Sequence, residues 1–171
     1  GRNPEVARRV LARRISSGPL GRFKGMVAVD FREARVLHDA GLPVRHVGHL
    51  VQVPEGLIDA TLDMEPEVIT VYSLEKAESI ARHARARGLS QGILLKICGQ
   101  DDTVYKGQEG GFTPEAALDA VLKIRGMEGV RFSGVTSFPC FLFDAARGRA
   151  VATPNAGTLA ATVGMLLDRL S

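Results

Sequence analysis

The sequence contains few cysteines, the residues that cross-link many small proteins. Its 171 residues include only two Cys, Cys98 and Cys140, and no Trp. These cysteines lie far apart and have no Cys or His at the spacing of metal ligands, which argues against a zinc site and against a disulfide framework. We expect both to be free thiols, and we expect no metal.

Membrane-crossing segments are also missing from the sequence. No apolar run approaches the roughly 18 residues that are needed to cross a bilayer. The N-terminal stretch Gly-Arg-Asn-Pro-Glu contains no apolar signal segment. We therefore expect a cytoplasmic protein that has no membrane partner.

The net charge of +3 raises the possibility of a nucleic-acid partner, but aromatic residues, which stack on bases, make up only 5% of the chain. Of its 22 basic residues, 17 are Arg, and the Arg clusters at 8–14 and 82–87 have no aromatic residues interleaved for base stacking. These clusters are interpreted as solvated helix faces. No nucleic-acid partner is expected.

The remaining composition is typical of an ordinary globular domain, with 45% hydrophobic and 24% charged residues. A chain of this length can bury roughly 70% of its unfolded surface around one core, whereas two domains would be cramped. We predict a single domain over residues 1–171.

Short apolar, β-branched segments alternate with longer amphipathic segments along the chain. This pattern is typical of βα units that build a parallel sheet. The predicted strands cover residues 26–30, 44–48, 68–72, 93–98 and 131–137. The predicted helices cover residues 3–18, 31–40, 55–63, 73–87, 113–126 and 155–169, and Asn3-Pro4 and Gly18-Pro19 bound the first of them.

Two architectures fit five such units: an open, flavodoxin-like sheet, and part of a (β/α)₈ barrel. None of the strand-to-helix turns contains a Gly-x-Gly-x-x-Gly or Walker-type phosphate loop, which weakens a nucleotide-binding interpretation and favours the barrel. In both architectures ligands bind at the carboxyl ends of the strands.

Polar residues follow the predicted strands at those ends. They are Asp30, residues 48–52, Tyr72-Ser73, residues 98–102 and residues 136–140. One interpretation is a pocket that most of these residues form together. The other is that polar residues simply mark the points where strands stop.

Two of these residues are candidates for proton transfer. His49 has an imidazole that can stack on a planar cofactor or move a proton, but it can equally cap the loop. Cys140 can act as an acid or base if a cation lowers its thiol pKa, and it is inert if it packs against Phe141 and Phe143. The other histidines, His38, His46 and His83, are interpreted as structural or exposed, and Cys98 as a core residue.

Two further features stand near the strand ends. Lys96 interrupts the apolar run Ile-Leu-Leu-Lys-Ile, so in a barrel it has to face the interior and find a carboxylate or another hydrogen-bonding partner. Residues 105–112 contain three glycines in five positions. Their backbone amides can surround an anion, but a plain turn is the alternative.

Six stretches together carry a resemblance to a known family. They are Gly-Arg-Asn-Pro at 1–4, Val-Ala-Val-Asp-Phe-Arg-Glu-Ala-Arg at 27–35, Gly-His-Leu-Val-Gln-Val-Pro at 48–54, Gly-Gln-Glu-Gly-Gly-Phe at 107–112, Thr-Ser-Phe-Pro-Cys at 136–140 and Thr-Pro-Asn at 153–155. In this order they resemble the alanine racemase N-terminal-domain-like proteins, and more narrowly their YhfX-type subgroup.

The resemblance implies a (β/α)₈ barrel of fold type III that binds pyridoxal 5′-phosphate (PLP), represented here by about five βα units. It also implies an isomerase that acts on an amino-acid substrate, in which the PLP ring is the electron sink for proton transfer at Cα. A homodimer is expected. His49 and Cys140 lie in stretches that match the family, and we predict catalytic roles for them. We predict cofactor contacts for His49, Gln52, Ser137 and Lys96.

Two departures from the family pattern qualify this interpretation. In similar proteins the Schiff-base lysine stands immediately upstream of the Gly-Arg-Asn-Pro stretch, so we expect it to precede Gly1 and expect this chain alone to be inactive. None of the five lysines falls at the matching position. Related sequences often have His where this chain has Ser137, which leaves a non-enzymatic PLP-binding or small-ligand-binding protein as the alternative.

Overall fold

A computed structural model describes residues 3–12, 24–108 and 110–171 of the chain. The chain divides into two compact units, residues 1–69 and 70–171. Whether they act as the single domain that the composition suggests stays a prediction. None of the helices in the described ranges combines the length and the hydropathy that crossing a membrane requires.

The first unit contains strands β1 and β2, the start of β3, and the helices around them. Its elements are helix α1 (Pro4–Ala12), β1 (Met26–Ala28), α2 (Phe31–Asp39), β2 (Val44–Val47), a 3₁₀ turn (Glu55–Leu57) that leads into α3 (Ile58–Leu62), and the start of β3 (Val68–Val71). Strand β2 pairs in parallel with both β1 and β3. Leu37, Val47 and Ile58 are fully buried in this unit.

The second unit continues the alternation and then adds a hairpin. Its elements are α4 (Leu74–Ala86), β4 (Gln91–Lys96), α5 (Pro114–Arg125), β5 (Val130–Thr136), β6 (Phe141–Asp144), β7 (Arg149–Ala152) and α6 (Pro154–Leu170). Strands β4 and β5 are parallel, and β6 and β7 are antiparallel. Ile80, Ile93, Leu95 and Ile124 are fully buried.

The order of strands in the main sheet is β1-β2-β3-β4-β5, so neighbours in the chain are neighbours in the sheet. A flavodoxin-like sheet instead has the order 2-1-3-4-5, in which β1 lies between β2 and β3. Here β2 lies between β1 and β3, which excludes that alternative. The sequential order is the one that a (β/α)₈ barrel uses.

All five strands predicted from the sequence are present, with ends that differ by one or two residues. The start of the first helix is also confirmed, because the Asn3 side chain accepts hydrogen bonds from Glu5 N (3.0 Å) and Val6 N (3.2 Å). The predicted end of this helix at Gly18-Pro19 lies outside the described residues, as do Arg13 and Arg14.

The β6–β7 hairpin was not predicted. Periodicity missed it because the large side chains of β6 are exposed, Phe141 at 65% and Phe143 at 72%. The turn carries a signal that could have revealed it: the Asp144 carboxylate accepts from Ala146 N (3.0 Å) and Arg147 N (3.1 Å), and Gly148 follows with a φ of 62°.

The Thr113 side chain stabilises the start of α5. Its Oγ1 accepts a hydrogen bond from Ala116 N at 3.3 Å, and Pro114 occupies the first helical position. We expect Thr113→Ala to lower the free energy of unfolding by about 1 kcal/mol, because it leaves that N–H without its cap. Thr113→Ser keeps the hydroxyl and should change the free energy of unfolding by only a few tenths of a kcal/mol. Urea titration of the three proteins tests this, and equal losses in both variants would contradict it.

Candidate functional site

In the first unit, the loop after β2 contributes the candidate residues His49 and Gln52. The backbone ties this loop to the end of β1, since His49 N donates to Ala28 O at 3.3 Å and Leu50 N donates to Val29 O at 3.1 Å. Gly48 turns the chain into the loop with a φ of 88°, which favours glycine. The loop is therefore held against the carboxyl end of β1, as expected for a ligand site in a parallel sheet.

His46 and His49 form a pair of imidazoles at this end of the first unit. Their ring centroids are 5.2 Å apart, and the rings meet edge to face at 77°. His46 is buried, and burial, with a smaller contribution from His49, lowers its pKa to about 4. His46 is therefore neutral at physiological pH and supports the position of His49 without adding charge.

Gln52 presents an open acceptor in the same loop. Its Oε1 atom is buried, and it has no hydrogen-bond partner among the residues that the structure describes. A buried polar atom in this state costs free energy until a donor reaches it. Gln52 can therefore accept a hydrogen bond from a ligand.

In the second unit, Lys96 ends β4 as a buried amine. The residue is 1% exposed, and its Nζ donates to the backbone oxygen of Phe138 at 3.1 Å. Burial lowers its pKa, although Cys98, Cys140 and Asp102 act in the opposite direction. Its partner is thus a carbonyl rather than a carboxylate, and the amine links β4 to the turn that follows β5.

Cys140 lies in that same turn and keeps its proton. Burial raises its thiol pKa and Asp102 raises it further, while the Lys96 charge lowers it. Its Sγ donates to Ser137 O at 3.3 Å. The protonated thiol is a donor in this state. The rings of Phe141 and Phe143, the alternative packing partners of Cys140, are mostly exposed.

Asn155, in the first turn of α6, was not singled out from the sequence. It is 1% exposed, and its amide contacts both the loop after β4 and the turn after β5. The Thr-Pro-Asn stretch placed it only at a helix start, where an exposed side chain is ordinary. Its burial depends on contacts between distant segments, which local sequence does not reveal.

Other polar residues at the strand ends support helices instead. Asp30 caps α2 by accepting from Glu33 N at 2.7 Å, and Ser73 caps α4 by accepting from Lys76 N at 3.3 Å. Tyr72 is 8% exposed. Cys98 is half-buried, so its interpretation as a core residue is wrong.

The glycine-rich segment forms a turn in its described part. Gln108 N donates to Tyr105 O at 2.9 Å, and Gln108 Oε1 accepts from Tyr105 N at 3.1 Å. Gly111 then brings Phe112 alongside β4, where Phe112 N donates to Lys96 O at 2.8 Å. Glu109 lies outside the described residues, and anion binding here stays a prediction.

In the second unit, Lys96 donates to Phe138 O and Cys140 donates to Ser137 O, so both side chains contact the turn after β5. In the first unit, His49 and Gln52 belong to the loop after β2. A common pocket for the two groups stays a prediction. Within the described parts of the chain, no group of three His, Cys, Asp or Glu residues is placed to hold a metal ion.

Comparison with known proteins identifies a close relative. The chain is 43% identical over 159 residues to a protein of Escherichia coli (strain K12) described as "Uncharacterized protein YhfX". The match covers 93% of this chain and 39% of that protein, so the chain spans well under half of its relative's length.

Solved structures with a similar fold are more distant in sequence. Alanine racemase from Clostridium difficile 630 superimposes with a TM-score of 0.59 at 19% identity, covering 84% of this chain and 34% of that one. Diaminopimelate decarboxylase from M. jannaschii superimposes with a TM-score of 0.67 at 15% identity, covering 100% of this chain and 39% of that one. These similarities establish the fold alone.

The family model described as "Alanine racemase, N-terminal domain" matches residues 7–165. The match includes all five parallel strands and the residues at their carboxyl ends. The resemblance seen in the sequence is therefore confirmed, and so is the α/β fold of this family, with its five βα units in sequential order. The chain belongs to the alanine racemase N-terminal domain family.

Proposed function

We propose that this chain contributes part of the site of a PLP-dependent enzyme that transfers a proton at Cα of an amino acid, as a racemase does. The observation that carries the proposal is the family match over residues 7–165. The structural neighbours include a racemase and a decarboxylase, which supports an amino acid as the substrate. The whole protein's reaction, its assembly as a homodimer and its cytoplasmic location are parts of the same proposal.

The residues at the strand ends fit PLP in their chemistry. The buried Oε1 of Gln52 requires a donor that the described residues do not supply. The His49 imidazole offers a flat surface for a ring, and Ser137 offers a hydroxyl. When bound, PLP supplies an electron sink that stabilises negative charge at Cα. The cofactor contacts predicted for His49, Gln52 and Ser137 are part of this proposal.

Lys96 acts toward the cofactor through the polypeptide. Its amine is buried and donates to the Phe138 carbonyl, so it orients the turn that contains Ser137. The cofactor contact that the resemblance assigns to Lys96 is therefore proposed as indirect. Burial lowers the pKa of this amine because it disfavours the charged form.

Proton transfer is assigned to Cys140 and His49. The thiol pKa of Cys140 is raised by burial rather than lowered by a cation, so the thiol stays protonated, and we assign it only the donating step, the return of a proton to Cα. The imidazole of His49 has a ring nitrogen that can accept a proton, and we assign His49 the removal of the Cα proton. These are opposite steps of one racemisation.

Deuterium exchange tests the proposal directly. We expect the full-length protein with PLP to exchange the Cα hydrogen of at least one amino acid in D₂O, as followed by proton NMR. Cys140→Ser should slow the exchange by about 100-fold, because positioned acids contribute roughly 10²–10⁴ to the rate. Cys98→Ser is the matched control and should change it less than about threefold.

The result also separates this function from its rivals. Loss of carbon dioxide from the amino acid would indicate a decarboxylase. Bound PLP without exchange for any amino acid would contradict the enzyme proposal and favour a PLP carrier. One observation supports that second candidate: Ser137, which lies where relatives often have His, has a hydroxyl that cannot relay protons as an imidazole does.

A further inference from the structure

Asn155, in the first turn of α6, contacts both the loop after β4 and the turn after β5. Its Oδ1 accepts from Thr103 N at 2.9 Å, and its Nδ2 donates to Thr103 O at 3.2 Å. The side-chain amide thereby satisfies both backbone groups of Thr103, as a neighbouring strand would. The loop that follows β4 is fixed to the start of α6 by this pair of bonds.

The same Nδ2 also faces the turn after β5. It lies 3.4 Å from both Ser137 Oγ and Phe138 O. The Phe138 carbonyl additionally accepts from Lys96 Nζ at 3.1 Å and from Gln108 Nε2 at 2.9 Å. Donors from β4, the glycine-rich segment and α6 therefore converge on one backbone oxygen, next to Ser137 and two residues before Cys140.

Only asparagine can make this set of contacts from that position. It offers an acceptor and two N–H donors on a short side chain, whereas aspartate has no donor for the oxygens of Thr103, Ser137 and Phe138. The residue is 1% exposed, so water cannot replace a lost donor without local opening.

One helical turn further along α6, Thr158 provides a comparison. Its Oγ1 donates to Asp102 Oδ1 at 2.7 Å, and Asp102 Oδ2 accepts from Gly99 N at 2.9 Å. Thr158 thus ties the same loop to the same helix. Among the residues that the structure describes, Thr158 makes no hydrogen bond to the turn at residues 137–140, so it shares the contact of Asn155 with the loop but not its contact with the turn.

We propose that Asn155 is a positioning residue, which sets the placement of the Ser137 hydroxyl and the Cys140 thiol by holding the turn at residues 137–140 against the loop after β4. It does not touch the reacting atoms in this proposal. Its consequence for catalysis rests on the function proposed above, but its effect on the turn does not.

Thiol labelling tests the effect on the turn without any assumption about activity. The full-length protein is treated with iodoacetamide, and the modification rates of Cys140 and Cys98 are read separately by peptide mass spectrometry. Asn155→Ala should raise the rate at Cys140 about tenfold, since loss of a buried hydrogen-bond set opens the turn. The control Thr158→Val should leave the Cys140 rate within about twofold.

Asn155→Asp provides a second variant if the alanine variant fails to fold. It keeps the acceptor for Thr103 N but loses the donors to Ser137 and Phe138, so it should also raise the Cys140 rate. An unchanged Cys140 rate in a folded Asn155 variant would overturn the proposal. So would an equal rise at Cys140 and Cys98, because that indicates general loosening.

The kinetic parameters of the exchange reaction provide a second test. If the full-length protein exchanges Cα hydrogen, Asn155→Asp should lower kcat by about tenfold or more while KM stays within about threefold, because misplaced groups lose rate more than binding. A fall in stability alone would not produce this split. If no exchange occurs in the unsubstituted protein, the proposed function fails, whereas the labelling result still decides the role of Asn155.

Discussion

Acidification from neutral pH to about pH 4 is expected to destabilise the protein by up to about 3 kcal/mol through the single imidazole of His46. In the folded chain this group has a pKa of about 4, whereas an unfolded histidine has a pKa near 6.5. The difference comes first from burial and then from His49.

The sign follows from proton binding. Between these two pKa values the unfolded chain binds the proton and the folded chain does not, so the unfolded state is increasingly favoured as the pH falls. Above the unfolded pKa both states are neutral at His46, and this residue adds no pH dependence. The loss therefore develops over the window from about pH 6.5 down to about pH 4.

Urea titrations at several pH values, with and without His46→Gln, isolate this contribution. The difference in unfolding free energy between the two proteins should shrink by up to about 3 kcal/mol across the window, because glutamine does not titrate. His38→Gln is the matched control: His38 is exposed, and its variant should follow the unsubstituted protein. A constant difference between the His46→Gln and unsubstituted proteins would show that His46 is not the group responsible.

Gly129→Ala is expected to cost about 3 kcal/mol. Gly129 precedes β5 with a φ of 91°, a conformation that disfavours any residue with a side chain. An added Cβ would stand 2.4 Å from Ala81 O and 2.9 Å from Arg85 N, which belong to the backbone of α4. The helix would have to move away from β5, and both are part of the core.

Gly126→Ala is the matched control, three residues earlier in the same connection. Gly126 has a φ of −87°, and an added Cβ would lie no closer than 3.5 Å to its neighbours. We expect a change of less than about 1 kcal/mol. Thermal unfolding of both variants measures the contrast. Equal losses would mean that the strain at Gly129 is relieved by local movement.

The elements of the fold were predictable because apolar residues recur in each of the five strands and longer amphipathic segments separate these strands. Asn3, Ser73 and Thr113 cap helices through local hydrogen bonds, which depend on residues two or three positions away. Such interactions can be predicted from residues that are near one another in the sequence. The hairpin at residues 141–152 was not predicted because the residues of β6 do not alternate between buried apolar and exposed polar side chains.

The candidate site was predictable only in part. His49, Gln52, Ser137 and Cys140 could be named because polar residues follow apolar strands and because they match family stretches. The side-chain partners could not be named. Lys96 meets a carbonyl 42 positions away, and Asn155 meets Thr103 52 positions away.

Local sequence is sufficient to predict the alternation of strands and helices, the helix caps and the family, since all three depend on local pattern or on similarity along the chain. The tertiary fold sets which polar residues are buried and which converge on the Phe138 carbonyl. Convergence of that kind requires distant segments to approach within hydrogen-bonding distance. Burial at such a point also lowers the pKa of Lys96 and raises that of Cys140, because it disfavours the charged form of each group.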